Sequence, residues 1–278
     1  MKKIFEQLPA SKKMPVIFTS HGNPMDITLP AYGNSFIKYL NELGEELHTN
    51  YGIKAVLVIS AHWCTKGTYI NINPFPETIF DYYGFPQEYY SDSLKYPAPG
   101  SPVIAGQIAN ENKLVTPTSE WGFDHGNWPV MKHLLPEANI PVFQLSIDYY
   151  QPPQYHYDLA LQLKNYREKG VLIIGSGAIV HNLKEAGKRM FTGNTQLYGW
   201  DKEFDDSVKQ KINDRNIKSI INYHNHKYSK LAIPTPDHYI PLIYTMALLD
   251  KKDNIRHTFE DILPAFSNRS FIIEPENY

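Results

Sequence analysis

Three short apolar runs constrain this chain more than anything else in it: Pro15-Val-Ile-Phe18, Ala55-Val-Leu-Val-Ile59 and Val171-Leu-Ile-Ile174. They are too short for helices, rich in β-branched residues and without polar alternation, the pattern of strands buried on both faces of a parallel sheet. Ile140-Pro-Val-Phe-Gln-Leu-Ser-Ile147 reads as a further central strand. Thr68-Tyr-Ile-Asn-Ile72 alternates and reads as a strand at an edge, and Ser270-Phe-Ile-Ile273 would close an edge. Amphipathic segments fall between the runs. Asn34 to His48 places Phe36, Ile37, Leu40, Leu43 and Leu47 on one helical face. Ser101 to Asn112 opens with Ser-Pro, a cap followed by an N1 proline. Trp128 to Leu135, Tyr155 to Glu168, Trp200 to Asn213 (exposed and peripheral) and Ile217 to Tyr223 are further helices. A buried helix ending near Leu249 carries Asp237 and His238 in its first turn. The sum is an α/β fold: a single-domain α/β/α sandwich over residues 1–278, with a central, mostly parallel or mixed β-sheet.

Composition narrows the partners. Lys+Arg 27 against Asp+Glu 29 leaves a net charge of -2 with no long basic block, which argues against nucleic acid and membrane surfaces. The N-terminus lacks the apolar core of a signal peptide, and no stretch has the apolar length of a membrane span. Cys64 is the sole cysteine, which excludes an intrachain disulfide and fits a soluble protein of the reducing cytoplasm; it reads as a buried, unreactive thiol. From Phe80 to Tyr96 the chain is too aromatic for a solvated linker and too broken by Gly and Pro for a helix, so it is expected to be a packed loop or lid.

Five histidines are placed where such a sheet would gather them. His21, His62 and His181 follow the apolar runs, His125 lies in a Gly/Trp-rich loop, and His238 opens the last buried helix. Ligands collect at the carboxyl ends of strands in open α/β sheets, and several imidazoles converging there indicate a metal centre. His21 and His62, after adjacent-looking strands and beside the small Gly22 and Ala61, read as ligands. Asp237 and His238 are neighbours that point apart, so one of them reaches the metal, and His238 is preferred. His125 and His181 form the natural acid/base pair, and either could also be a ligand. His48, His133, His156, His224, His226 and His257 have ordinary explanations in solvent exposure or local hydrogen bonds. Gly175-Ser-Gly177 permits a tight turn that delivers His181 to the first turn of a helix. Ser176 is a weak nucleophile candidate, because the surrounding residues lack the first glycine of G-x-S-x-G.

Met14-Pro-Val-Ile-Phe-Thr-Ser-His-Gly-Asn-Pro24, Val58-Ile-Ser-Ala-His-Trp63, Tyr82-Tyr-Gly-Phe-Pro86, Gly122-Phe-Asp-His-Gly-Asn-Trp-Pro129, Gly175-Ser-Gly-Ala-Ile-Val-His-Asn182 and Pro236-Asp-His-Tyr-Ile-Pro241, in that order, resemble the class III extradiol ring-cleavage dioxygenases, and most closely their DOPA-cleaving branch. The resemblance implies a metal-dependent enzyme that opens a catechol ring with O2 to a muconate semialdehyde. By it, His21, His62 and His238 map to the metal, and His181 lies at the metal as ligand or acid/base group. His125 faces the substrate, and His125 or His181 accepts a phenolic proton. Asn23, Tyr82, Phe85, Asn127 and Trp128 would contact substrate by their loop positions. The wider class completes its site with a glutamate, and this chain offers His238 instead, which leaves one more positive charge. Fe(II) is expected for the dioxygenase chemistry, with Zn2+ a plausible occupant of so imidazole-rich a site. The rival reading is a zinc-dependent hydrolase using a metal-bound water; a noncatalytic metal-binding or storage protein is a third. A requirement for oxygen separates the first from both.

Overall fold

The apolar runs lie side by side as β1 (Val16–Thr19), β2 (Ala55–Thr65), β5 (Val142–Asp148) and β6 (Val171–Ser176), all parallel, in the order β5-β2-β6-β1. The computed structural model describes residues 12–24 and 35–276. Met25, at the end of the first site loop, and Asn34, the expected first residue of a helix, lie outside the described residues. Around the parallel centre stand β3 (Thr68–Asn71) and β4 (Val115–Thr118) on one side, and β10 (Ser270–Glu274) and β7 (Asn254–Phe259) on the other. β3 against β5, β1 against β10 and β10 against β7 are antiparallel, so the eight-stranded sheet is mixed. A separate hairpin joins β8 (Ile262–Leu263) to β9 (Phe266–Ser267). The helices are α1 (Ser35–Asn50), α2 (Pro102–Glu111), α3 (Trp128–Leu134), α4 (Pro153–Leu161), α5 (Leu183–Phe191), α6 (Trp200–Asn213), α7 (Ile217–Ile221), α8 (Ser229–Ala232) and α9 (Ile240–Ala247). Among the described residues no helix is long and apolar enough to cross a membrane.

Successive strand residues alternate between two cores, one per sheet face, as a period of two demands. Val16, Phe18, Leu57, Ile59, Phe143, Leu145 and Ile173 pack with α4, α6 and α9. Ile17, Val56, Val58, Val142, Leu172 and Ile174 pack with α1 and α3, where Phe36, Ile37, Leu40, Leu43 and Leu47 supply the expected helix face. The single-domain α/β sandwich is thereby borne out.

Several local expectations are corrected. β3 is not an edge, because Val115–Thr118, with Pro117 on the outer strand where a missing N–H is tolerated, pairs outside it. Ser270–Ile273 is not an edge either, because Asn254–Phe259 adds beyond it. β1 and β2 are not adjacent; β6 returns between them. The helix expected over Tyr155 to Glu168 stops at Leu161, and a 3-10 turn spans Lys164–Lys169. α6 is not peripheral: Phe204, Val208 and Ile212 are buried, as are Asp201 and Asp205.

α9, the helix after His238, is tied to α4 by His156, whose Nδ1 lies 3.2 Å from the Tyr244 hydroxyl. Burial pushes the His156 imidazole down to about 4, partly opposed by the charge of Asp148. Between that value and the ordinary one near 6.5 the unfolded chain holds a proton that the folded chain lacks, so stability falls as pH drops through this window. The cost at its acid end is about 3 kcal/mol, and it is absent above the window. Urea unfolding of His156→Gln against pH is expected to give a correspondingly shallower acid decline than the unmodified chain; parallel profiles would show that His156 is not the titrating group.

Candidate metal centre

The carboxyl ends of the parallel strands deliver the histidines. His21 is two residues past β1 and nearly fully buried. His62 lies within β2 rather than after it, in a register break against β5: Ile59 pairs with Leu145 and that ladder resumes at Cys64 with Ile147, while Ser60 still pairs with Ser176 of β6, so Ala61 to Trp63 bulge. Bulges commonly re-aim a side chain beside a functional site. His181 precedes α5 instead of lying in its first turn. Its N–H bonds Ala232 O at 2.9 Å, it bridges to Phe266 of the β8–β9 hairpin, and Asn182 caps the helix. His238 is likewise in the turn before α9. Gly177 supplies contact rather than a left-handed turn: a Cβ there would sit 2.2 Å from His238 O, and the adjacent Ala178 N–H bonds that same oxygen at 2.8 Å. Only glycine lets the His238 turn come down onto the end of β6.

The five rings form one cluster. His62 and His125 have centroids 3.6 Å apart, His181 stacks on His238 at 3.4 Å, and His21 links the two pairs at 4.8 Å from His62 and 5.2 Å from His238. His21, His62 and His125 can present ligand atoms to one ion, as can His181, Asp237 and His238. Nitrogen by nitrogen, the arrangement is more specific. His21 Nδ1 is 3.0 Å from Ser176 Oγ, His238 Nδ1 is hydrogen-bonded to Asp237 Oδ2, and His62 Nδ1 faces Asp81 Oδ2 at 3.6 Å. Of the opposite nitrogens, His21 Nε2 and His62 Nε2 are 3.0 Å apart, and His238 Nε2 is buried with no hydrogen-bond partner among the described residues. An imidazole with its outer nitrogen held by an oxygen and its inner nitrogen unpaired is set up as a metal ligand. Burial first, then repulsion from the neighbouring imidazoles, holds His21 and His62 well below the usual histidine range, and His181 is lowered by burial and His238. These rings are neutral lone-pair donors, and they fit a divalent cation.

Asp237 corrects the expected surplus of positive charge. Burial alone would raise its carboxyl, but the hydrogen bond and charge of His238 outweigh this and bring it down to about 2. A carboxylate behind His238 restores the negative charge that a glutamate ligand would have brought.

The His125 loop is anchored from below. Asp124 is fully buried and accepts from Ser60 Oγ at 2.6 Å, Gly126 N at 3.0 Å, Trp121 Nε1 at 3.1 Å and Gln144 Nε2 at 2.7 Å. Burial, then the charge of Asp81, raises its pKa. Ser60 Oγ also accepts from the His62 N–H at 3.1 Å, so one carboxylate ties the His125 loop to the β2 bulge. His125 N–H donates to Asp81 Oδ1 at 2.7 Å.

The expected substrate contacts separate. Tyr82 meets the His125 ring edge-on at 5.5 Å, its hydroxyl spent on Tyr89 O at 2.6 Å, and the half-buried Phe85 packs on it at 5.3 Å. Asn23 is exposed in the loop after His21. Asn127 and Trp128 are both buried where α3 begins, with Trp128 packed in the core. Asn127 Nδ2 bonds Gln144 Oε1, and the fully buried Trp128 indole donates to Ile79 O. Cys64 is exposed, not buried. Ser176 proves to be a buried partner of His21 rather than a nucleophile. Asp81, Ser60 and Asp124 were not singled out by the sequence, since the bonds that join them to one another's segments, Asp81 to His125 and Ser60 to Asp124, span 44 and 64 positions.

Residues 15–265 match the family described as the catalytic LigB subunit of aromatic ring-opening dioxygenase. The chain is 34% identical over 259 residues to 4,5-DOPA dioxygenase extradiol of Escherichia coli (strain K12), covering 91% of this chain and 92% of that protein. It is 34% identical to 4,5-DOPA dioxygenase extradiol of Beta vulgaris, covering 82% and 84%. A crystal structure of an uncharacterized protein from Escherichia coli K12 superposes with a TM-score of 0.76 at 31% identity, covering 94% of this chain and 99% of that one. The chain belongs to the LigB family of aromatic ring-opening dioxygenases, as its ordered histidine motifs led one to expect.

Proposed function

We propose that the whole chain acts as one catalytic domain that opens a DOPA-like catechol with O2, at the extradiol position, to a muconate semialdehyde. The observation that carries this reading is the cluster of five histidines in which His21, His62 and His238 each have Nδ1 facing an oxygen, and the metal is assigned to their opposite nitrogens. Fe(II) on these nitrogens would pass electrons between catechol and O2, whereas Zn2+ would fit them equally and supply only Lewis acidity. His125, packed on His62, and His181, stacked on His238, are assigned the phenolic protons, the task of a positioned proton acceptor. Tyr82 and Phe85 offer apolar surface beside His125 for the ring, and Asn23 a polar contact at the rim. Asn127 and Trp128 act through the loop they brace. The near-balanced charge and single cysteine are in keeping with a cytoplasmic enzyme of small aromatic substrates.

The test is oxygen uptake by anaerobically iron-reconstituted protein on L-DOPA and on simple catechols, beside a zinc-loaded control. Iron-dependent uptake with a yellow ring-fission product is the expected result. No uptake on any catechol at verified iron load would overturn the proposal in favour of a zinc hydrolase.

A further inference from the structure

Asp81 comes from the aromatic loop, far in sequence from the histidines it touches. A short parallel bridge between Thr78 and Phe123 brings it there, closed by Ile79 N–H on Phe123 O and Phe123 N–H on Glu77 O, both at 2.7 Å. Gly122 allows that approach, since a Cβ would lie 2.1 Å from Glu77 O. The bridge sets Asp81 beside His125 a few residues later. One carboxylate oxygen accepts the His125 backbone N–H. The other lies 2.9 Å from His125 Nδ1, to one side of the ring N–H axis, and 3.6 Å from His62 Nδ1. His125 Nδ1 is buried and has no hydrogen-bond partner among the described residues, so this carboxylate is the group available to it.

An ionised carboxylate offers acceptors only, so the nitrogen facing it must carry the ring proton, and the opposite nitrogen then keeps its lone pair. We propose that Asp81 is a positioning residue that fixes the tautomer of His125, with the ring proton on Nδ1 and the lone pair on Nε2, making Nε2 the acceptor for a catechol hydroxyl. The catalytic part of this rests on the ring-cleavage reading; the tautomer does not. Asparagine is the informative replacement. Its oxygen can still take the His125 backbone N–H, but its NH2 group then faces Nδ1 and demands a lone pair there, which moves the ring proton to Nε2 and reverses donor and acceptor.

Nitrogen-15 NMR of histidine-labelled, zinc-loaded full-length protein, at about two pH units above the ordinary imidazole pKa, reads the tautomer directly. The His125 signals are identified by their loss in His125→Gln. The expected result is Nδ1-protonated His125 in the unmodified chain and Nε2-protonated His125 in Asp81→Asn. In the iron-loaded enzyme kcat should fall roughly 10²-fold or more with the catechol KM little changed. A proton on Nε2 in the unmodified chain would overturn the proposal without recourse to any variant, and so would a folded Asp81→Asn that keeps the original tautomer. If the tautomer switches but no catechol is ever cleaved, the positioning role stands and the ring-cleavage reading falls.

Discussion

His21→Ala and His62→Ala are each expected to yield folded protein that retains essentially no metal after dialysis and cleaves no catechol. Each removes a nitrogen of the inward-facing set, a larger loss than the roughly 10–100-fold in affinity that follows from losing an outer hydrogen-bond partner. His125→Ala should behave differently. It should keep its metal and lose roughly 10²–10⁴ in rate, the contribution of a positioned proton acceptor. Metal per chain by elemental analysis, read beside circular dichroism and turnover on the same samples, separates the two classes. Full metal content in His21→Ala or His62→Ala would remove that residue from the ligand set, and metal loss in His125→Ala would move it in.

A second large effect is expected at a buried ion pair outside the histidine cluster. Arg269 and Asp205 are an almost fully buried pair, with Arg269 Nε on Asp205 Oδ2 at 2.8 Å, Ser267 Oγ on Asp205 Oδ1 at 2.6 Å, and the remaining Arg269 nitrogen against Glu260 at 2.9 Å. Arg269→Met leaves Asp205 buried with one hydroxyl to satisfy it. Breaking such a pair costs about 3–5 kcal/mol, which for a chain of this size lowers Tm by about 10 °C. Asp205→Leu combined with Arg269→Met should recover much of that loss, because no buried charge remains unpaired. A single Arg269→Met variant that melts with the unmodified chain would show that Asp205 finds other compensation. Activity should fall as well, since the pair holds the hairpin on which His181 bridges Phe266.

The central strands were legible because they are buried on both faces, which forces continuous apolar runs. The five histidines were legible because strand ends in this fold class converge. β4 was not, because Val115-Thr-Pro-Thr118 shows a single buried apolar residue and only its neighbour makes it a strand. Nor can local pattern show that β6 returns between β1 and β2, and that insertion is what sets Ser176 against His21 across 155 positions. Asp81 was hidden by the aromatics around it; its meaning lies in a loop-to-loop bridge, not in any spacing. Asn127 and Trp128 share a loop with His125, but the onset of a helix rotates them inward, and adjacency to a functional residue says nothing about direction.

The segment carrying His62 is paired with β5 on either side, at Ile59 and again at Cys64. Its ends are therefore fixed points, and the number of residues between them is a constraint separate from their identity. Losing or gaining one there would drag His62 from the cluster or flip everything beyond it to the opposite sheet face. Substitutions along this stretch can be sampled one at a time, but insertions and deletions cannot, so among functional descendants of this chain the distance from Ile59 to Cys64 should change far more slowly than the residues that fill it.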